Sequence, residues 1–127
     1  MNASAALIER YWASAQARDW AAFAALLDSD VVYEVPQTRE RVRGRQAYVA
    51  FNAGWPSDWD AEVLDVIADG ERAFSRIAFY PQRQDRSQMQ EGLTVFDIRD
   101  GLITRILDYW PEPYAAPQRA WAQVERY

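Results

Sequence analysis

The sequence predicts an α+β domain, with helices gathered on one face of a curved antiparallel sheet. Apolar residues first recur at helical spacing, in three segments before residue 55. The period then falls to two. Two Asp-Gly pairs, Asp69-Gly70 and Asp100-Gly101, punctuate that second half as hairpin turns. A chain of 127 residues makes one domain, 1–127, able to bury about two-thirds of its unfolded surface. Half its residues are hydrophobic and Gly and Pro are scarce, so a packed core is expected rather than disorder.

Each element has its own signal. Ser4 reads as the N-cap of a first helix carrying Leu7, Ile8, Tyr11, Trp12 and Ala15 on one face. Asp19 caps a second, with Trp20, Phe23, Ala24 and Leu27, that ends near Asp28-Ser29-Asp30. VVYEV reads as a strand stopped by Pro36. Gly44 precedes a third helix, RQAYVAFNAG, placing Tyr48, Phe51 and Asn52 one turn apart until Trp55-Pro56 breaks it. WDAEVLDVIA, RAFSRIAFY, QEGLTVFDI and LITRILDYW then form a meander, with a polar turn from Gln82 to Arg86. Pro111 and Pro113 end the last strand, and Pro117 opens a short closing helix holding Trp121 and Val124.

Absent residue types narrow the chemistry. Without Cys there is no disulfide, thiolate nucleophile or zinc-thiolate site. Without His the commonest general base and transition-metal ligand are gone. All 14 basic residues are Arg, which excludes a Schiff-base lysine. Asp, Glu, Tyr, Ser and Thr remain, with Arg as a fixed cation; no metal and no cofactor is expected. A net charge of −5 argues against nucleic acid as a partner. In RERVRGR, Arg39, Arg41, Arg43 and Arg45 alternate; if extended they could collect an anion, or form a solvated rim diluted by Glu40. No apolar stretch approaches the about 18 residues of a membrane span, and the start lacks the pattern of a secretory leader. A cytoplasmic protein without a membrane partner is the expectation.

Alternation in LITRILDYW puts Leu102, Thr104, Ile106, Asp108 and Trp110 on one face and Ile103, Arg105, Leu107 and Tyr109 on the other. Helices cover only one face of a sheet. A strand apolar on both predicts a homodimer packed through the outer face. It also leaves Asp108 as a carboxylate among apolar neighbours.

The paired N-terminal helices with "ARDWAAFAALLDSDVVYEVP", the helix start "RGRQAYVAF" and the terminal "RDGLITRILDYWPEP" resemble the nuclear transport factor 2-like superfamily, in its SnoaL-like and ketosteroid-isomerase-like branch. The resemblance covers nearly the whole chain. It implies a cone-shaped α+β barrel (cystatin-like), with three helices on the concave face of the sheet. It specifies activity poorly, because the superfamily hosts isomerases, cyclases, hydrolases and binding proteins.

In the ketosteroid isomerase pattern a first-helix Tyr donates to the substrate oxyanion, and Tyr11 occupies that place. The family's general-base Asp falls on Val35, with Glu34 beside it on the opposite face, and its second oxyanion donor falls on Thr94. Two of three catalytic groups are thus missing, which argues against a steroid-type isomerase. The last-strand positions lining the family pocket fall on Ile106, Asp108 and Trp110. Asp108 is therefore expected as the pocket's acid/base group, raised in pKa by burial, with Tyr11 as its hydrogen-bond partner or oxyanion donor. Ketosteroid isomerase itself shows carboxyl groups tuned in this way by an apolar cavity. Tyr33, Val35, Phe51, Asn52, Trp55, Thr94, Phe96, Ile106 and Trp110 are expected to line a pocket for a small hydrophobic molecule. A buried Asp108 could instead pair with Arg76 or Arg105, or accept a bond from Tyr11. Three functions stay open: cofactor-free catalysis of isomerase, cyclase or hydrolase type, non-catalytic ligand binding, and a dimeric interaction domain.

Overall fold

Helix α1 spans Ala3–Gln16 in the computed structural model, which describes residues 2–110 and 117–127. It buries Leu7, Ile8, Tyr11 and Ala15, the face its spacing predicts. Asn2, not Ser4, caps it: Asn2 Oδ1 accepts from the amides of Ser4 (2.9 Å) and Ala5 (3.2 Å). The Ser4 hydroxyl instead donates to the Gly70 carbonyl at 2.6 Å. Helix α2, Trp20–Ala24, is capped by Asp19 as expected but stops early. Leu27, with Asp28 to Asp30, opens strand β1, Leu27–Val35. Leu27 pairs with Ile103 and is fully buried, so strand pairing overrides its helical spacing.

Strand β2 is Glu40–Arg43, followed by α3, Arg45–Ala53. The meander comprises β3 (Asp60–Asp69), β4 (Arg72–Tyr80), β5 (Gln90–Arg99) and β6 (Leu102–Tyr109). One six-stranded sheet results, in the order β2-β1-β6-β5-β4-β3. The meander pairs are antiparallel, but β1 lies parallel to β6, so the sheet is mixed. The parallel pair follows from the long return of the chain through α3 and the meander. Asp100 and Gly101 turn with φ of 53° and 75°, as an Asp-Gly hairpin requires. At the other hairpin Asp69 still pairs with Arg72, and the turn falls one residue later, on Gly70-Glu71.

Strict alternation fails in β6. The register slips between Asp97 and Ile98, because two steps on β6 oppose one on β5. Thr104 is the added residue; its hydroxyl donates to the Asp97 carbonyl at 3.2 Å. Ile103, expected outside, is fully buried. From Ile106 onward the predicted phase holds.

The RERVRGR stripe does not form. Arg39 sits in a turn at φ 62°, Arg45 begins α3, and the Arg41 Nε donates to Glu34 at 2.6 Å. Pro111 and Pro113 lie outside the described residues. No helix forms over 117–127: Trp121 and Val124 are exposed, and a short segment with no packed face does not nucleate one. Among the described residues no helix is long and apolar enough to cross a membrane.

Ile8, Phe23, Tyr48, Phe96, Ile103 and Ile106 fill the space between helices and sheet. On the opposite face an apolar row crosses four strands in register, from Ile67 to Phe74, Val95 and Leu107. Gly92 faces inward from β5, and a Cβ built on it would stand 2.6 and 2.9 Å from two ring atoms of Trp110. The indole therefore rests on the glycine. Gly92→Ala is expected to lower unfolding free energy by about 1–3 kcal/mol in urea titrations. Most of that loss should vanish in a Trp110→Ala background, where the clash has no partner.

Candidate functional site

A cavity of about 460 Å³ opens between the helices and the inner sheet face. Helix α1 contributes Tyr11, Trp12 and Ala15; β1 contributes Tyr33 and Val35; α3 contributes Tyr48, Phe51 and Asn52. Opposite them stand Ile77 and Phe79 of β4, with Asp108 and Trp110 at the end of β6. Phe51 and Trp55, which keep 37% and 45% of their surface exposed, mark the mouth.

Asp108 is fixed from two sides. Thr94 is its direct cross-strand neighbour, and the Thr94 hydroxyl donates to Oδ1 at 3.0 Å. Tyr33, which pairs with Ile106 two residues earlier, reaches along the sheet and donates its hydroxyl to Oδ2 at 2.7 Å. Among the described residues no guanidinium forms an ion pair with the carboxyl. Arg76 binds Asp65 and Glu91, and Arg105 binds Glu34. The arginine-paired alternative is thereby overturned, and the tyrosine that bonds Asp108 is Tyr33 rather than Tyr11. Burial raises the Asp108 pKa, against the opposing pull of the bonds from Tyr33 and Thr94.

The Tyr11 and Tyr48 hydroxyls share a hydrogen bond deep in the cavity. Burial raises the pKa of both phenols; for Tyr11 the neighbouring Tyr48 and the Asp108 charge add to it. Both remain neutral donors at ordinary pH. Only one proton lies between the two oxygens, so the pair keeps a second proton to offer to a ligand oxygen. Tyr33 stacks on Tyr48 at 4.7 Å between ring centres, joining the phenol pair to the carboxyl pole.

Eight predicted residues line the cavity: Tyr11, Tyr33, Val35, Phe51, Asn52, Trp55, Asp108 and Trp110. Three do not. Phe96 lies fully buried behind Tyr11, edge-on at 5.0 Å, and Ile106 is closed off within the core. Thr94 is equally buried and commits its hydroxyl to Asp108. Reasoning from sequence missed Trp12, Tyr48, Trp59, Ile77 and Phe79 as wall residues. Ile77 and Phe79 share a strand phase with Ser75, and Tyr48 precedes Phe51 by about one turn, so their signals existed. Trp59, expected to open the WDAEVLDVIA strand, precedes β3; Arg18 stacks over its ring at 3.9 Å and holds it against Phe79. Among the described residues no three carboxylates are placed to hold a metal ion.

The sequence profile of the SnoaL-like domain matches residues 8–106. Among solved structures, the chain is similar to a protein of Kribbella flavida DSM 17836 named as a candidate ketosteroid isomerase. That pair shares 37% identity at a TM-score of 0.88, over 98% of this chain and 90% of the other. An LEH-like epoxide hydrolase of M. tuberculosis is similar at 21% identity and a TM-score of 0.69, over 86% of this chain and 83% of that one. A candidate polyketide cyclase of Sinorhizobium meliloti reaches 22% identity and 0.69, over 80% and 92%. The latter two share the fold alone. No curated protein matches the chain.

The raised Asp108 pKa has a consequence for stability. The folded chain holds this proton to higher pH than the unfolded chain does. Its stabilising contribution is therefore complete below the unfolded-state Asp value and is lost as pH rises through the folded value. Asp108→Asn removes the titration. Unfolding curves from pH 3 to 8 should show the variant gaining on the parent as pH rises, whereas a gap independent of pH would mean that Asp108 titrates normally.

Proposed function

The chain belongs to the SnoaL-like domain family, and on that premise we propose that it carries out cofactor-independent acid/base chemistry on a small hydrophobic molecule, with Asp108 moving the proton. One observation carries this: a buried carboxyl reaches an aromatic cavity, held by two hydroxyls and, among the described residues, paired with no cation. Burial brings such a group toward the pH range where a carboxylate both accepts and returns a proton. As a base it takes a proton from a carbon beside a carbonyl, or from a water that attacks an electrophilic carbon. The Tyr11–Tyr48 pair offers an O–H to the oxygen on which negative charge develops. Position 35 is Val, and Glu34 points away, bound to Arg41 and Arg105. The proton therefore moves from the last strand, not from the first.

Isotopes separate the possible reactions. Cyclic ketones and enones in D₂O report α-proton abstraction, and epoxides in H₂¹⁸O report water activation. The expected result is incorporation by the parent protein, reduced at least about 100-fold in Asp108→Asn with ligand binding retained. Tyr33→Phe removes a bond that holds the Asp108 pKa down, so the acid limb of its pH–rate profile should move to higher pH. Ligands that bind but exchange no label would make this a binding domain.

We also propose a homodimer through the outer sheet face. Ile67 and Phe74 remain 69% and 43% exposed there, beside Leu93 and Tyr109. Such a two-sided sheet finds its cover most simply in a second copy. Sedimentation should give a dimer at micromolar concentration and a monomer for Phe74→Glu; a parent monomer would refute it.

A further inference from the structure

Charges around the cavity mouth are not balanced. Strand β2 pairs Glu40 with Val35 and Val42 with Tyr33, which turns Glu40 toward the same side as those cavity residues. Arg41 also reaches the mouth, but it pairs with Glu34 on the other face and its guanidinium is bound there. Among the described residues Glu40 has no ion-pair partner. Its charge is felt inside the cavity: after burial and Asp108, and with Tyr48, it is among the causes that raise the Tyr33 phenol. Phe51 and Trp55 are partly exposed at this same mouth and meet edge to face, with ring centres 5.7 Å apart and planes at 71°.

A carboxylate with no ion-pair partner among the described residues, lining the same cavity as two partly exposed aromatic rings, is the chemistry that recognises an organic cation. Aromatic rings attract a positive charge, most strongly when it is desolvated. A carboxylate adds a charge-assisted hydrogen bond if the cation bears N–H. An anionic head group would meet Glu40 at the mouth and Asp108 in the depth, and the one guanidinium among the described lining residues, that of Arg41, is already bound to Glu34. We propose that the molecule held here carries a protonated amine, seated at the mouth by Glu40, Phe51 and Trp55, with its apolar body directed inward toward Asp108. Glu40 is then a specificity residue outside the proton-moving machinery. The inference rests on the cavity being a ligand site, as proposed above, and names the class of ligand.

Three indoles of similar size test it by isothermal titration calorimetry: tryptamine, neutral 3-ethylindole and anionic indole-3-propionate. Tryptamine should bind at least 10-fold more tightly than 3-ethylindole, and indole-3-propionate should bind weakest. Glu40→Gln should weaken tryptamine about 10-fold and leave 3-ethylindole unchanged. Raising salt should narrow the difference between the two in the parent protein. Equal affinity for tryptamine and 3-ethylindole, or tryptamine binding unaffected by Glu40→Gln, would overturn the amine assignment while leaving the apolar cavity in place. No binding by any of the three would overturn the cavity as a ligand site, and the amine assignment with it.

Discussion

The interaction on which the site depends is the pair of hydroxyl bonds to Asp108. A carboxylate moved from water into a protein interior loses solvation worth several kcal/mol. A guanidinium would answer that loss most directly, and this chain has 14 arginines to offer. None is placed there. The sheet turns Arg76 and Arg105 to the outer face, where each meets acidic partners. Inside, Tyr33 and Thr94 give Asp108 two neutral donors, which orient the carboxyl without fixing its charge. A guanidinium would have held it ionised; the two hydroxyl bonds pull its pKa down, and burial outweighs them.

The surrounding structure serves that arrangement. The cross-strand pair of Thr94 with Asp108 sets one bond, and the parallel pairing of β1 with β6 brings Tyr33 within reach for the other. Trp110 follows two residues later on the same face and rests on Gly92, so the strand that presents the acid also supplies the wall beside it. Phe79 meets that indole edge-on at 4.7 Å, and Trp59 stacks on Phe79, extending an aromatic surface along one side of the cavity. The relatives show how one cone-shaped scaffold accommodates different chemistry, since sites on a shared fold vary with the side chains that reach the hollow. Here the buried carboxyl that reaches the hollow sits on the last strand.

Periodicity made the fold legible, because burial of one face imposes 3.6 on a helix and two on a strand. It succeeded in α1, in α3 and through most of the meander. It failed where a longer-range constraint outweighed local pattern. Leu27 fits a helix by spacing but is claimed by Ile103 across the sheet. Thr104 is an inserted residue that no alternation rule reveals, and it sends Ile103 inward. At the site, the face of Asp108 was readable from β6 alone. Its partners were not: Tyr33 reaches it only through a parallel pairing between distant segments. Phe96 and Ile106 have the phase of wall residues, yet helix packing closes over them. Trp59 lies before its strand begins, and its place depends on Arg18 crossing from the end of α1.

Whether Asp108 is a proton-exchanging acid is most directly measured by following its side-chain carboxyl carbon in ¹³C-labelled protein through a pH titration, assigned by its absence in Asp108→Asn. The midpoint should lie above the range of ordinary solvent-exposed aspartates. A midpoint within or below that range would show a permanently ionised carboxylate and contradict the proton-exchanging role.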